Sequence, residues 1–186
     1  MKGFGDANTS NNKKISRLQQ KYDFNEIFNE AIQYHRVGNV LQASKLYKIL
    51  INNGFKNSAI FTNYGLILSN LGKLKEAEFF IRKAIEINPK DSIVHYNLGI
   101  ILKDLGKLKE AEFSYRNAIK IKPDHHEAHY NLGIILKDLE KLKEAEFSYR
   151  NAIKIKPDYA EAYYNLGNLL STIGKLKEAE FLYCQV

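Results

Sequence analysis

Cysteine is almost missing from this chain: Cys184 is the only one, so no internal disulfide can form and nothing points to an oxidising compartment. That thiol also lacks the basic, pocketed context and the nearby histidine that would activate a nucleophile. Long apolar runs are missing too. No stretch approaches the roughly 18 residues of a membrane span, and the opening MKGFGDANTSNNKK holds no apolar core for a signal peptide. The expectation is a soluble, cytoplasmic protein. There is no glycine-rich phosphate loop and no paired catalytic carboxylates, so neither an enzyme nor a cofactor is expected. Proline occurs only three times, which leaves helix largely uninterrupted.

What is present is ordinary in bulk and unusual in arrangement. Hydrophobic residues make up 45% and charged residues 26%, as in soluble folded proteins, with a formal net charge of +7. A basic balance can mark nucleic acid or a membrane surface. Here, however, lysine alternates with glutamate (Lys107, Lys109, Glu110, Glu112), the pattern of a solvated helix face, so nucleic acid is not the favoured partner. Residues 1–23 are polar, rich in Asn and Lys, and read as a disordered or partly helical tail, with helical patterning only near Ile15–Tyr22.

The arrangement is a repeat. SIVHYNLGIILKDLGKLKEAEFSYRNAIKIKPDH, starting at Ser92, is followed at once by HEAHYNLGIILKDLEKLKEAEFSYRNAIKIKPDY, ending at Tyr159. The copies differ only at Ser92/His126, Ile93/Glu127, Val94/Ala128, Gly106/Glu140 and His125/Tyr159. The 34-residue period extends over 24–57, 58–91, 92–125, 126–159 and a partial 160–186. Within one repeat, Val94, Leu98, Ile101, Leu102 and Leu105 form a helical stripe. Gly106 breaks it where a left-handed residue would close the helix. A second stripe follows at Leu108, Ala111, Phe113, Tyr115, Ala118, Ile119 and Ile121, and Pro123 stops that helix or opens the next. The fold class is therefore all-α: antiparallel helix pairs, each too small to bury its own apolar face and so obliged to stack on its neighbours.

Gly65, Gly99, Gly133 and Gly167 sit mid-helix at a cost of about 1 kcal/mol each against alanine. Such recurrence predicts close packing, with Ala77, Ala111, Ala145 and Ala179 as the expected partners. Glu140 takes the place of the turn glycine and predicts strain of about 1 kcal/mol or a different turn.

The aromatic-or-His, Leu-Gly, Ala, aromatic, Ala and Pro positions at this period resemble the tetratricopeptide repeat, in a bacterial-type array of near-consensus units covering 24–186. The resemblance implies a right-handed superhelical solenoid whose first helices line a concave groove for a peptide or extended protein segment. It implies a scaffold or adaptor. The first repeat departs from the pattern, with Glu30, Ala31 and Phe55 where the others carry an apolar residue, Gly and Pro, as a capping repeat would. The partial fifth repeat predicts an exposed Phe181 and Tyr183. This leaves two further readings open: an edge that stacks on a second copy, or a targeting region of a larger enzyme such as a glycosyltransferase or sulfotransferase.

On the first helices, opposite the packing stripe, Asn63, Asn97, Asn131 and Asn165 recur, with Asn29 before them. Beside them run Tyr96, Tyr130 and Tyr164, then Ile100 and Ile134, then Lys103 with Asp104 and Lys137 with Asp138. An asparagine amide can both donate to and accept from a peptide backbone, and tyrosines supply flat contact area. The resemblance extends to the arrays preceding the catalytic domain of O-linked N-acetylglucosamine transferases. It does not extend to chaperone-type carboxylate clamps, since the corresponding positions hold Ile93 and Asn97 rather than a basic residue. His125, His126 and His129 spell HHxxH, but the first pair falls in an inter-repeat turn and His95 and His129 occupy the aromatic position, so no metal is expected.

Overall fold

In the computed structural model, residues 23–184 are described; the tail expected over 1–22 lies outside them. Ten α-helices account for the described residues: α1 Phe24–Arg36, α2 Val40–Asn52, α3 Ser58–Asn70, α4 Leu74–Ile87, α5 Ser92–Asp104, α6 Leu108–Ile121, α7 His126–Asp138, α8 Leu142–Ile155, α9 Ala160–Thr172 and α10 Leu176–Tyr183. No strand occurs among them. Asp23, at the end of the expected tail, is the N-cap of α1: its carboxylate accepts from the backbone of Asn25 and Glu26. The chain divides at Asn88/Pro89 into two compact bodies, α1–α4 and α5–α10.

The same local chemistry builds each helix pair in both bodies. Between the two helices, a residue with positive φ reverses the chain: Gly38 at 76°, Gly72 at 73°, Gly106 at 73° and Gly174 at 81°. At Gly106 the amide reaches Lys103 O (2.9 Å) and the Lys107 amide reaches Leu102 O (2.8 Å), which satisfies carbonyls the ending helix would leave bare. Glu140 makes the same turn at φ 60°, with Glu140 N to Lys137 O and Lys141 N to Leu136 O at 2.9 and 2.8 Å. The turn keeps its shape, in a backbone conformation that a residue with a Cβ adopts only at a cost. The second helices end at Ile121 and Ile155, before Pro123 and Pro157, so proline sits in the turn instead of breaking the helix.

The mid-helix glycines do admit a close neighbour, but it is not the expected alanine. A Cβ on Gly99 would lie 2.5 Å from the Tyr115 ring, one on Gly133 2.7 Å from Tyr149, and one on Gly167 2.6 Å from Tyr183. In the N-terminal body, Gly65 meets the Ile81 side chain at 2.9 Å and the Ala77 carbonyl only at 3.4 Å. Tyr115 and Tyr149 are fully buried, each ring lying against the helix that the glycine opens. Ala77, Ala111 and Ala145 are also fully buried, but the close approach belongs to the larger side chain.

A second correction concerns Phe113. It was expected on the buried stripe of α6, yet it is 66% exposed; Phe79, Phe147 and Phe181 at the equivalent positions are exposed as well. It stands two residues from both Ala111 and Tyr115, and residues two apart do not share a helix face. On that outer side of the C-terminal body, charges link successive second helices. Arg116 pairs with Glu112 (2.9 Å) and Glu144 (2.6 Å), Lys141 with Glu112 (2.9 Å), Arg150 with Glu146 (2.9 Å) and Glu178 (2.8 Å), and Lys175 with Glu146 (3.1 Å).

Candidate binding face

The first helices of the C-terminal body, α5, α7 and α9, hold most of the sequence-predicted site. Helical spacing brings Tyr96, Asn97, Ile100, Lys103 and Asp104 onto neighbouring positions of α5, and their equivalents onto α7 and α9. Asn131 Nδ2 donates to the Tyr96 hydroxyl at 3.0 Å, and Asn165 Nδ2 donates to the Tyr130 hydroxyl at 2.7 Å. The asparagines are thus partly occupied in joining one repeat to the next. Each keeps an acceptor oxygen and one amide hydrogen beyond that bond, and each accepting hydroxyl keeps its own proton.

The remaining predicted residues fall out unevenly. Asn97 is buried and Asn29, in the N-terminal body, is exposed. Asn63, also in the N-terminal body, donates instead to the Tyr47 hydroxyl of a second helix at 3.1 Å. Ile100 and Ile134 are half-buried, Tyr164 is exposed, and Lys137 and Asp138 are exposed. Lys103 and Asp104 lie 3.7 Å apart, a loose surface pair. The tyrosines are braced from beneath: Tyr96 lies 5.9 Å from Tyr115, Tyr130 6.0 Å from Tyr149, and Tyr164 6.1 Å from Tyr183, ring centre to ring centre. Burial pushes the Tyr96 phenol up, with Glu127 adding to it and the bond from Asn131 opposing. Burial likewise raises Tyr130, with Glu161 adding and Asn165 opposing. Both are neutral donors at physiological pH.

Where the helices begin, the structure gathers residues that the sequence pattern leaves apart. Glu127 Oε2 lies 3.1 Å from His125 Nδ1 and 3.2 Å from His126 Nδ1. Tyr96 packs against His125 at 4.9 Å, His126 against Tyr159 at 5.3 Å, and Tyr159 against Tyr130 at 5.0 Å. Burial lowers His125, only partly offset by Glu127, so this imidazole is neutral near pH 7. Burial opposes ionisation of Glu127, but its own backbone amide and the two imidazoles outweigh that and hold the carboxyl below its ordinary value. The three histidines of HHxxH do not share one partner: His129 turns away to the Pro123 carbonyl at 2.9 Å, as His95 turns to Pro89 at 3.0 Å. Sequence reasoning overlooked this cluster, although its signal was available. Four of its residues, His125, His126, Glu127 and Tyr159, stand where the two copies differ.

Residues 58–91 and 92–125 each match a family model described as tetratricopeptide repeat, and 135–174 match one described as TPR repeat, together more than half of the chain. No curated relative matches. Among solved structures, MamA from residue 41 to its end, of Desulfovibrio magneticus RS-1, superposes with a TM-score of 0.80 at 19% identity over 87% of this chain and 92% of that one. YrrB, a TPR protein with an unusual peptide-binding site, gives 0.77 at 19% identity over 92% and 89%. PilF of Pseudomonas aeruginosa gives 0.77 at 16% over 87% and 74%. At such identities the likeness is one of fold, that of TPR solenoids. Among the described residues no helix is long and apolar enough to cross a membrane. With its recurrent helix pairs, its glycine–tyrosine contacts and these matches, the chain belongs to the tetratricopeptide repeat family.

Proposed function

We propose that this protein-interaction fold binds a peptide or extended protein segment along the first-helix face of α5, α7 and α9, as a non-catalytic scaffold or adaptor. The observation that carries the reading is the pairing of Asn131 with Tyr96 and Asn165 with Tyr130. It orients both side chains while leaving amide oxygens and phenolic protons for a peptide backbone, next to the half-buried Ile100 and Ile134. The shared fold with YrrB, a protein with a peptide-binding site, supports it. Each backbone hydrogen bond would contribute about 1 kcal/mol net, so affinity is the sum of several weak contacts.

Because the asparagines join repeats, replacing them does not test binding alone: Asn131→Ala removes a structural bond and should lower stability by about 1 kcal/mol. The better test selects phage-displayed dodecapeptides on the full chain and then measures their binding to Ile100→Ser/Ile134→Ser. Selected peptides should lose at least about tenfold in affinity, as a loss of some 1.4 kcal/mol requires. Undiminished binding would place the site elsewhere.

A further inference from the structure

Four of the residues at which the two copies diverge, His125, His126, Glu127 and Tyr159, gather around the start of α7, and their chemistry is selective. Two tyrosine rings and the Glu127 carboxylate surround His126 there. Tyr130 and Tyr159 lie 5.0 Å apart, and the His126 ring stands 5.3 Å from Tyr159. Tyr96, Tyr130, Glu127 and Glu161 all lie close enough to act electrostatically on the Tyr159 phenol, which burial and these neighbours push well up. Among the described residues, Glu127 is paired with imidazoles and with no lysine or arginine. A carboxylate held by a neutral, buried His125 keeps its negative charge. The Tyr159 ring already faces one cation, the chain's own Lys156, whose Nζ lies 4.9 Å from the ring centre and which an incoming basic side chain would displace or flank.

Resting on the binding face proposed above, we infer that Glu127, Glu161, Tyr96, Tyr130 and Tyr159 form a subsite for a basic side chain, lysine or arginine, of the bound segment. The carboxylates meet the charge, the tyrosine faces attract the cation, and the rings cover the aliphatic stem. The repeat 92–125 holds Ile93 where Glu127 stands, so the subsite sets a register along an otherwise uniform face. The first-helix face as a whole would then be read at one point by side chain and elsewhere by backbone.

The net charge of +7 makes the test sharp, because long-range electrostatics disfavour a basic peptide on this chain. The probes are two dodecapeptides, one carrying a single lysine and the other norleucine at the same place in an Ala-Ser-Gly background, titrated into the full isotope-labelled chain and followed by amide shifts. The lysine peptide should bind about tenfold tighter and move the amides of Glu127, Tyr130 and Tyr159. Glu127→Ile installs the residue of the other copy and should abolish the lysine preference, and a melt alongside reads whatever stability is lost as His125 and His126 lose their partner. Equal binding of the two peptides overturns the subsite and leaves the binding face standing. Lysine preference that survives Glu127→Ile also overturns it. If neither peptide moves any first-helix amide, the binding face and the subsite fall together.

Discussion

The helices α5 and α7 share ten consecutive residues, His95–Asp104 and His129–Asp138, yet they begin in different ways. At the start of α5, the Asp91 carboxylate accepts from the amides of Ile93 (2.9 Å) and Val94 (3.4 Å), and Ser92 Oγ donates to the Ala118 carbonyl at 3.0 Å. At the start of α7 the N-cap is His125, which makes no capping bond with its side chain, and His126 replaces the serine. The second copy gives up a local stabiliser worth about 1 kcal/mol and gains a cluster of imidazoles, a carboxylate and a tyrosine. Below the surface the copies differ only where the buried Val94 is replaced by the buried Ala128, and Tyr115 and Tyr149 are equally buried, each against its own glycine. The contrast shows that variation between the copies is confined to the helix starts and one turn, and that at the starts a cluster of polar and aromatic side chains replaces a helix cap.

The largest test of that equivalence removes the packing ring. Tyr115→Ala and Tyr149→Ala should each lower stability by about 3–5 kcal/mol in urea unfolding, and by similar amounts. A clearly milder loss at one site would mean that the two interiors are not interchangeable. Phenylalanine at either position is the control. Both hydroxyls are buried and find no hydrogen-bond partner among the described residues. Tyr115→Phe and Tyr149→Phe should therefore leave stability unchanged or raise it by about 1 kcal/mol.

These interiors were legible in the sequence to different depths. The 34-residue period places first helices at Phe24, Ser58, Ser92, His126 and Ala160, and helices begin at those residues. The turn at Gly106 followed from glycine, because a left-handed residue is needed where two short helices reverse, and the turn at Glu140 from the repeat period. The partner of Gly99 was not legible: Ala111 and Tyr115 lie on the same following helix, and only the way the two helices meet decides which side chain reaches the glycine. Phe113 was misplaced because hydrophobicity was weighed ahead of spacing. Asn131 and Tyr96 are 35 residues apart, and their bond depends on how one repeat sits on the next, which no periodicity within a repeat contains.

The turn that departs from glycine offers a smaller test. Glu140 adopts φ 60° where Gly106 adopts 73°, a conformation that costs a side-chain-bearing residue about 1–2 kcal/mol. Glu140→Gly should raise the stability of the second copy by that amount, and Gly106→Glu should lower that of the first. If Glu140→Gly leaves the unfolding midpoint where it was, the strain is relieved by contacts of the glutamate itself. Asp91→Ala comes next, with an expected loss of about 1 kcal/mol from the cap of α5. His125→Ala should show no capping loss, since there is no cap to remove.

The smallest effect lies on the outer face, where the copies should behave as one. Burial opposes ionisation of Glu112, but the hydrogen bonds from Lys141 and Arg116 outweigh it and hold the carboxyl below its ordinary value; Arg150 and Lys175 do the same for Glu146. A carboxyl depressed in the folded state stabilises that state above its unfolded pKa, and the benefit is lost as the pH falls through the lower folded value. Near neutral pH, Glu112→Gln and Glu146→Gln should each cost no more than about 1 kcal/mol, because the basic partners are half exposed and salt screens them. As the medium is acidified below the ordinary carboxylate range, the parent chain should lose this advantage and its unfolding midpoint should converge on those of both variants. A gap that persists undiminished in acid would show that the two glutamates stabilise the chain by packing and not by charge. A gap that closes for one glutamate and not the other would break the equivalence of the two copies on the face where their sequences are identical.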